Sequence, residues 1–166
     1  DISFKAKKGQ TIAVIGSTGS GKSTLINLIP RYYDVTKGSV KVDGVDVRDM
    51  TQKELRDKLG YVPQKGVLFS GTIDSNIRYG KPEITDAQVK EAAEVAQATE
   101  FIDTKPEKYE SPVSQGGTNV SGGQKQRLSI ARAIAKDPEI FIFDDSFSAL
   151  DFKTDSQLRK ALKEYT

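Results

Sequence analysis

The eight residues from Gly16 to Ser23 have the types and the spacing of a phosphate-binding loop. They are GSTGSGKS, which fills every fixed position of the pattern G-x-x-x-x-G-K-[ST]. Glycines let successive backbone N–H groups point at one anion, the lysine reaches the β- and γ-phosphates of a nucleotide, and the last hydroxyl ligates Mg²⁺. The residues predicted to bind the nucleotide are Gly16, Ser17, Thr18, Gly19, Ser20, Gly21, Lys22, Ser23 and Thr24.

The segments on either side of this loop are those that a phosphate-binding loop requires. Residues 11–15, TIAVI, form a short apolar run that predicts a buried strand. Residues 24–29 predict the start of a helix that Pro30 would end or bend. The alternative is a glycine-rich turn that binds nothing, but the order of strand, loop and helix favours a phosphate site at the helix N-terminus.

A pair of carboxylates, Asp144 and Asp145, follows a second apolar run. Residues 140–143, IFIF, predict a strand that is buried on both faces. A Mg²⁺ ion near Ser23 would compensate the charge of Asp144 at the end of such a strand, whereas the alternative role of Asp144 is to cap the following loop. Because ligands of open α/β sheets bind at the carboxyl ends of the strands, we expect both loops to face one crevice.

A third candidate region is a helix start at residues 121–124, SGGQ. Ser121 has the position of an N-cap, and Gln124 lies three residues later, where it would complete a capping box. Two glycines in the first turn leave its N–H groups uncovered, which favours an anion site over a helix that is merely well capped. The apolar stripe predicted for this helix is Leu128, Ala131, Ile134 and Ala135.

The remaining pattern predicts an α/β fold. Residues 39–47 alternate around an Asp-Gly pair and predict a hairpin. A helix over residues 51–59 and a short strand at residues 61–62 follow, and residues 72–136 have a mostly helical pattern. The last helix would begin near Asp151. Further helix starts are indicated by the possible N-caps Thr51 and Thr85.

Composition excludes several classes of function. The 166 residues predict one domain, and 25 basic against 23 acidic residues give a net charge of +2, which offers no electrostatic reason to expect nucleic acid. The absence of cysteine excludes thiolate metal sites, and the absence of histidine removes the commonest general base. No apolar run approaches the roughly 18 residues of a membrane helix, so we expect no direct membrane insertion of this segment.

Together these motifs resemble the nucleotide-binding domains of ATP-binding cassette (ABC) transporters, over nearly the whole chain. Residues 120–124, VSGGQ, are similar to the signature motif of that family, with valine in place of the usual leucine. Gln64 resembles the glutamine of the Q-loop, and residues 148–151, SALD, resemble the D-loop. Residues 68–80 are similar to those of exporter-type members. The elements occur in the family's order, which makes the resemblance much more specific than the phosphate loop alone.

The resemblance implies a P-loop NTPase (RecA-like) core of α/β class, with a small antiparallel β region and an inserted helical subdomain. The core would take residues 1–64 and 137–166, and the helical subdomain residues 65–136. The chain begins at Asp1 without an initiator Met. The adenine-stacking aromatic of the family would precede Asp1, and its switch histidine would follow the last helix. We therefore expect a domain truncated at both ends, with an incomplete sheet.

In this family two nucleotide-binding domains pair head to tail, and each ATP lies between one phosphate loop and the signature helix of the other domain. The resemblance therefore implies ATP and Mg²⁺ as cofactors. The residues implied around the metal are Ser23, Gln64 and Asp144. Those implied to contact the ATP of the partner are Ser121, Gly122, Gly123, Gln124 and Asp151. Hydrolysis would drive the transmembrane domain of an exporter from the cytoplasmic face of the cell membrane.

The chain departs from the family at Asp145, where the usual residue is the glutamate that activates water. A general base must come within about 2.6–3.2 Å of its proton, and aspartate is one methylene shorter. A misplacement near 1 Å can lower the rate by about 10²-fold. We therefore expect Asp145, which would act with Gln64, to be a weak base and the site to hydrolyse ATP slowly. In this family the substitution is typical of one half of a heterodimeric exporter, which implies a non-identical partner.

Other interpretations remain open. The protein would be a homodimer with two slow sites if no second subunit exists, and Asp145 would be competent if it worked through an additional water. A binding module, an ATP-gated clamp that does not hydrolyse, is a further alternative. So is a soluble ABC protein of DNA repair or translation. A GTPase is not favoured, because the guanine-reading pattern Asn-Lys-x-Asp is absent.

Overall fold

The computed structural model describes residues 1–166. Seven α-helices and six short strands are distributed along the chain. In order they are α1 (Lys22–Asn27), β1 (Lys41–Val42), β2 (Val45–Asp46), α2 (Gln52–Asp57), β3 (Leu59–Val62), β4 (Gly71–Thr72), α3 (Ile73–Ile77), α4 (Asp86–Val95), α5 (Thr99–Thr104), β5 (Pro112–Val113), α6 (Gly122–Ala135), β6 (Ile140–Phe143) and α7 (Phe152–Tyr165). None of these helices combines the length and the apolar character needed to cross a bilayer.

Two pairs of strands are antiparallel. β1 and β2 form the predicted hairpin, and both turn residues have positive φ, 51° at Asp43 and 79° at Gly44. Such angles at both positions belong to a type I′ turn, for which an Asp-Gly pair is suited. The second pair, β4 with β5, was not predicted, because two-residue strands that are distant in sequence leave no periodic signal.

The third sheet is a parallel pair that positions the candidate site. β3 and β6 lie side by side, with Val62 opposite Phe143 at their carboxyl ends. The loops that follow the two strands therefore leave the sheet at the same edge. The prediction that residues 140–143 are buried on both faces is only partly right, since Ile142 is buried while the other three residues are half-buried. The reason is that β6 has a hydrogen-bonded neighbour on one side only.

The strand predicted at residues 11–15 is wrong for this structure. These residues are exposed, Ile15 to 92%, and their backbone groups make no hydrogen bond to any strand. A strand is stable only when neighbours pair with its backbone and cover its side chains, and the β3–β6 pair does not extend to this segment. The expected incomplete sheet is thus confirmed, and the segment before the phosphate loop is the part it leaves unpaired.

Helix α6 lies at the centre of the main hydrophobic core. Leu128, Ile130 and Ile134 are fully buried or nearly so, and α6 packs against α3, α4 and β3. A smaller cluster lies between the hairpin, α2 and the parallel sheet. More of α6 is buried than the predicted stripe, because helices cover it on several sides. It is therefore a rigid element, and the loops that contact it are held in place.

Candidate nucleotide-binding site

The phosphate loop is exposed and curls tightly before α1. Gly19 and Gly21 have φ of +78° and +97°, a region in which side chains other than glycine's are strained. A Cβ atom on Gly16 would lie 2.5 Å from Ser20 Oγ, so a larger residue at this position would have to displace the Ser20 side chain. No side chain caps the start of α1. The first N–H groups of α1 are consequently free of side-chain partners.

Lys22 bridges the phosphate loop. Its Nζ donates hydrogen bonds to the carbonyl oxygens of Gly16 (2.6 Å) and Ser17 (2.8 Å). These bonds connect the first residue of α1 to the beginning of the loop and hold the ammonium group against the loop backbone. Charge-assisted bonds of this kind are stronger than those between neutral groups, so Lys22 stabilises the curled conformation.

The contact between Ser23 and Asp144 joins the phosphate loop to the end of β6. Ser23 Oγ donates to Asp144 Oδ1 at 3.1 Å, although the two residues are 121 positions apart. The backbone of Asp144 is fixed by its N–H, which donates to the carbonyl of Val62 at 3.0 Å and continues the parallel ladder. A hydroxyl and a carboxylate thus meet where the two loops converge.

Tyr61 supports this contact from the neighbouring strand. Its hydroxyl donates to Asn27 Oδ1 at 2.9 Å and so connects β3 to α1. Burial, together with the negative charge of Asp144, raises the pKa of Tyr61 to about 12. The phenol therefore stays protonated at neutral pH and remains a hydrogen-bond donor.

Gln64 and Asp145 lie next to each other beyond the ends of the two strands. Gln64 Nε2 donates to Asp145 Oδ2 at 3.4 Å, which is a long hydrogen bond. Asp145 is exposed, and its φ of 46° is in the left-handed region. The buried Ser146 Oγ donates to the carbonyl of Val62 and fixes the chain directly after Asp145. The carboxylate is thus placed by a constrained backbone rather than by burial.

The start of α6 has the predicted capping box. Gln124 N donates to Ser121 Oγ at 3.1 Å, and Ser121 N donates to Gln124 Oε1 at 3.2 Å. A Cβ atom on Gly122 would meet nothing within 4 Å, whereas one on Gly123 would lie 3.2 Å from the carbonyl oxygen of Ala149. The start of α6 is therefore in contact with residues 148–151 at Gly123, whereas the space beside Gly122 is open.

Asp151 caps α7. Its carboxylate accepts hydrogen bonds from Thr154 N (2.8 Å) and Thr154 Oγ1 (2.9 Å). These bonds lower the pKa of Asp151 below its ordinary value. The side chain is thus ionised at neutral pH and is engaged in a structural contact within its own chain.

The comparison with known proteins agrees with this arrangement. The sequence profile of the family described as "ABC transporter" matches residues 1–148. The chain belongs to the ABC transporter family. Its P-loop NTPase fold is therefore confirmed, and as an ABC domain it binds ATP.

Several longer proteins contain a segment similar to this ABC domain. An "Uncharacterized ABC transporter ATP-binding protein" of Mycobacterium tuberculosis is 50% identical over 99% of the chain, and a "Putative multidrug export ATP-binding/permease protein" of Staphylococcus aureus is 48% identical over 98%. The chain spans 28% of the length of each. A solved bacterial Atm1-family ABC exporter with ATP bound matches 89% of the chain with a TM-score of 0.85 and 41% identity, and the match covers 26% of the exporter chain.

The ABC domain brings the predicted residues together in two groups. In the first group, Ser23 contacts Asp144 and Gln64 contacts Asp145. In the second group, the start of α6 contacts residues 148–151. Sequence analysis missed Gln126, a buried residue of α6 that bonds to the loop carrying Gln64. Its burial could have been inferred from its position one turn before Ile130, which places a polar side chain on an otherwise apolar face of the helix.

Proposed function

We propose that this chain is the ATP-binding domain that powers a membrane exporter, and that its phosphate loop holds the triphosphate. The observation that supports it best is the 3.1 Å contact between Ser23 and Asp144, which joins the nucleotide-binding loop to a carboxylate at the end of a neighbouring strand. Two loops that converge in this way are what phosphoryl chemistry on a Mg²⁺-nucleotide requires. The nucleotide would be held by residues 16–24, with Lys22 directed to the β- and γ-phosphates.

The residues at this contact fit Mg²⁺. The ion is usually bound by one or two carboxylates together with phosphate and water oxygens, and Asp144 and the Ser23 hydroxyl supply oxygens of the right kind. Gln64 would add an amide oxygen, after its amide rotates away from Asp145. When bound, Mg²⁺ neutralises the charge that develops on the transferred phosphoryl group. The protein's own contribution is to hold these three side chains around the γ-phosphate position.

Asp145 is the proposed general base, acting with Gln64, and it is expected to be a weak one. Its carboxylate is one methylene closer to the backbone than that of glutamate, and that backbone is fixed by its left-handed φ and by Ser146. It therefore reaches less far toward an attacking water. A shortfall near 1 Å corresponds to a loss of about 10²-fold in rate. We expect ATP to bind at this site and to be hydrolysed slowly.

The start of α6 is proposed to act on a second nucleotide-binding domain. Ser121 and Gly122 are exposed, and the open position at Gly122 allows a phosphate to approach the first-turn N–H groups. The residues proposed to contact the ATP of the partner are Ser121, Gly122, Gly123, Gln124 and Asp151. For Asp151 this requires its cap on Thr154 to be shared or released.

The proposed partners are a second nucleotide-binding domain and a transmembrane domain. The second nucleotide-binding domain would be a non-identical subunit with a glutamate in place of Asp145, and a transmembrane domain would complete the transporter. The staphylococcal relative is named as a multidrug export ATP-binding/permease protein, and the solved neighbour is an exporter. We place this domain at the cytoplasmic face of the cell membrane. The net charge of +2 gives no support to nucleic acid as a partner.

The test is steady-state ATP hydrolysis by the purified full-length protein, as wild type and as Asp145→Glu. We expect the wild type to be slow and the glutamate variant to gain strongly, about 10²-fold if a 1 Å shortfall limits the rate. Asp144→Asn in the same background serves as the control and should abolish Mg²⁺-dependent turnover. High wild-type activity with no gain from glutamate would refute the weak base and favour a homodimer of competent sites. No turnover in either form, with ATP still driving pairing, would favour the non-hydrolytic clamp.

A further inference from the structure

Gln126 is a large polar side chain buried beneath the loop that carries Gln64. It is 2% exposed, yet both ends of its amide are bonded. The Oε1 atom accepts from the N–H of Gly66 at 2.8 Å, and Nε2 donates to the carbonyl of Pro63 at 3.1 Å. Because buried amides are unfavourable unless bonded, these two contacts determine where the side chain lies.

The two backbone groups bonded by Gln126 lie on either side of Gln64. Pro63 precedes that residue, and Gly66 follows it by two positions, so one side chain of α6 holds both ends of the short loop. A second observation points to the same attachment. A Cβ atom on Gly66 would lie 2.9 Å from the carbonyl oxygen of Lys125 and 3.0 Å from Ser129 Oγ, so the loop backbone rests directly on α6.

Helix α6 connects this loop to its own N-terminus. Gln126 lies five residues after Ser121, or roughly 7.5 Å along the axis at 1.5 Å per residue. The intervening turn is held by the capping box, and the buried part of the helix begins at Gln126 and continues from Leu128 onward. Gln126 is thus the point at which α6 is hydrogen-bonded to Pro63 and Gly66.

We propose that Gln126 is the positioning residue that ties Gln64 to α6, so that contacts at the start of this helix set the distance between the Gln64 amide and Asp145. The inference rests on the proposed role of Gln64 in ATP hydrolysis. Without the amide, the loop keeps its ends near α6 through packing alone, and Gln64 loses its fixed distance from Asp145. A residue that only stabilised the fold would change the stability but leave the turnover of folded protein unaltered.

The test compares Gln126→Met with Gln64→Ala in the full-length protein, using wild type or Asp145→Glu as background, whichever hydrolyses ATP faster. Methionine keeps the volume and removes both hydrogen bonds. We expect kcat to fall by about 10-fold or more, as for other residues that orient catalytic groups, while KM for ATP changes little because the phosphate loop is untouched. Gln157→Met makes the same change at an exposed position of α7 and should have no effect.

A pH profile of Gln126→Glu, taken over the pH range in which this variant remains folded, separates positioning from folding. When protonated, the introduced carboxyl can accept from Gly66 and donate to Pro63, whereas the ionised form can no longer donate. Burial raises the pKa of such a carboxyl. The turnover of this variant relative to the unsubstituted protein should therefore be highest at low pH and fall as pH rises, while the ratio for Gln126→Met stays flat. This comparison remains informative even if the methionine variant folds poorly.

The outcomes distinguish the two proposals. An unchanged kcat in Gln126→Met, or a reduced ratio in Gln126→Glu that does not recover at low pH, overturns the positioning role while Gln64→Ala still reports on the proposed function. If Gln64→Ala hydrolyses ATP normally, the role of Gln64 fails and this inference fails with it. In the double variant, loss of the amide at position 126 should add nothing to Gln64→Ala, because both changes remove the same contribution.

Discussion

Replacing Gly122 with alanine should stabilise the domain while impairing its proposed pairing. Gly122 is the first residue of α6, its backbone is helical, and a Cβ atom there would meet nothing within 4 Å. Alanine at such a position is favoured over glycine by about 0.5–1 kcal/mol, because the unfolded chain has fewer conformations to lose. At the lower value, suited to a first turn, a domain of this size gains about 1–2 °C in Tm.

Gly123→Ala is the matched variant for this prediction. The same change one residue later puts a Cβ atom 3.2 Å from the carbonyl of Ala149, closer than an ordinary contact. The stability gained from alanine is then offset by the cost of displacing residues 148–151, and we expect no rise in Tm. Scanning calorimetry of the chain measures both variants against the wild type.

The functional part of the prediction has the opposite sign. In the proposed pairing, the phosphate of the partner's ATP approaches the uncovered N–H groups at Gly122, and a methyl group would occupy that space. ATP-dependent dimerisation, measured by analytical ultracentrifugation with Mg²⁺, should weaken in Gly122→Ala although the domain is more stable. A lower Tm would refute the structural reasoning, and a higher Tm with unimpaired dimerisation would refute the role of Gly122 in pairing.

Two further predictions concern the frame around the site. Leu128→Ala removes a fully buried side chain of α6 and should lower the free energy of unfolding by about 2–5 kcal/mol. Val67→Ala, at a half-exposed position, should change it little. Urea unfolding measures both variants. Asp46 accepts hydrogen bonds from Arg48, which lowers the pKa of Asp46 to about 2. The contribution of the ionised Asp46 carboxylate to folding stability is therefore present above the ordinary pKa of aspartate and is lost as pH falls through about 2. Titration of the carboxyl followed by NMR should show the pKa of Asp46 rising in Arg48→Gln.

The elements that could be predicted from the sequence are those with a local cause. The N-caps at Thr51, Thr85 and Ser121 each form as predicted, because donor and acceptor lie three residues apart. The turn at Asp43 and Gly44 likewise depends on the backbone preferences of two adjacent residues.

Elements that depend on distant partners were less predictable. Residues 11–15 have a strand-like pattern but no neighbour to pair with, whereas β4 and β5 pair although neither has a pattern. The site shows the same division. The phosphate loop and Asp144 follow from motifs, but the bonds from Gln126 to the loop of Gln64 join residues about 60 positions apart, and no local rule indicates them.

These distant contacts explain how one helix can relate the two groups of site residues. α6 contacts residues 148–151 through Gly123 and holds the loop of Gln64 through Gln126. It also contacts the turn between α4 and α5 through Arg127, which donates to the carbonyl of Gln97. Each contact involves a group that would lose a hydrogen bond or a close fit if α6 moved alone. Because a buried helix moves as a unit, a partner that displaces its start must also move the loop of Gln64 or break the buried bonds of Gln126. The coupling between pairing and hydrolysis would then be a property of how α6 is packed, and substitutions that loosen α6 should uncouple the two without touching the nucleotide.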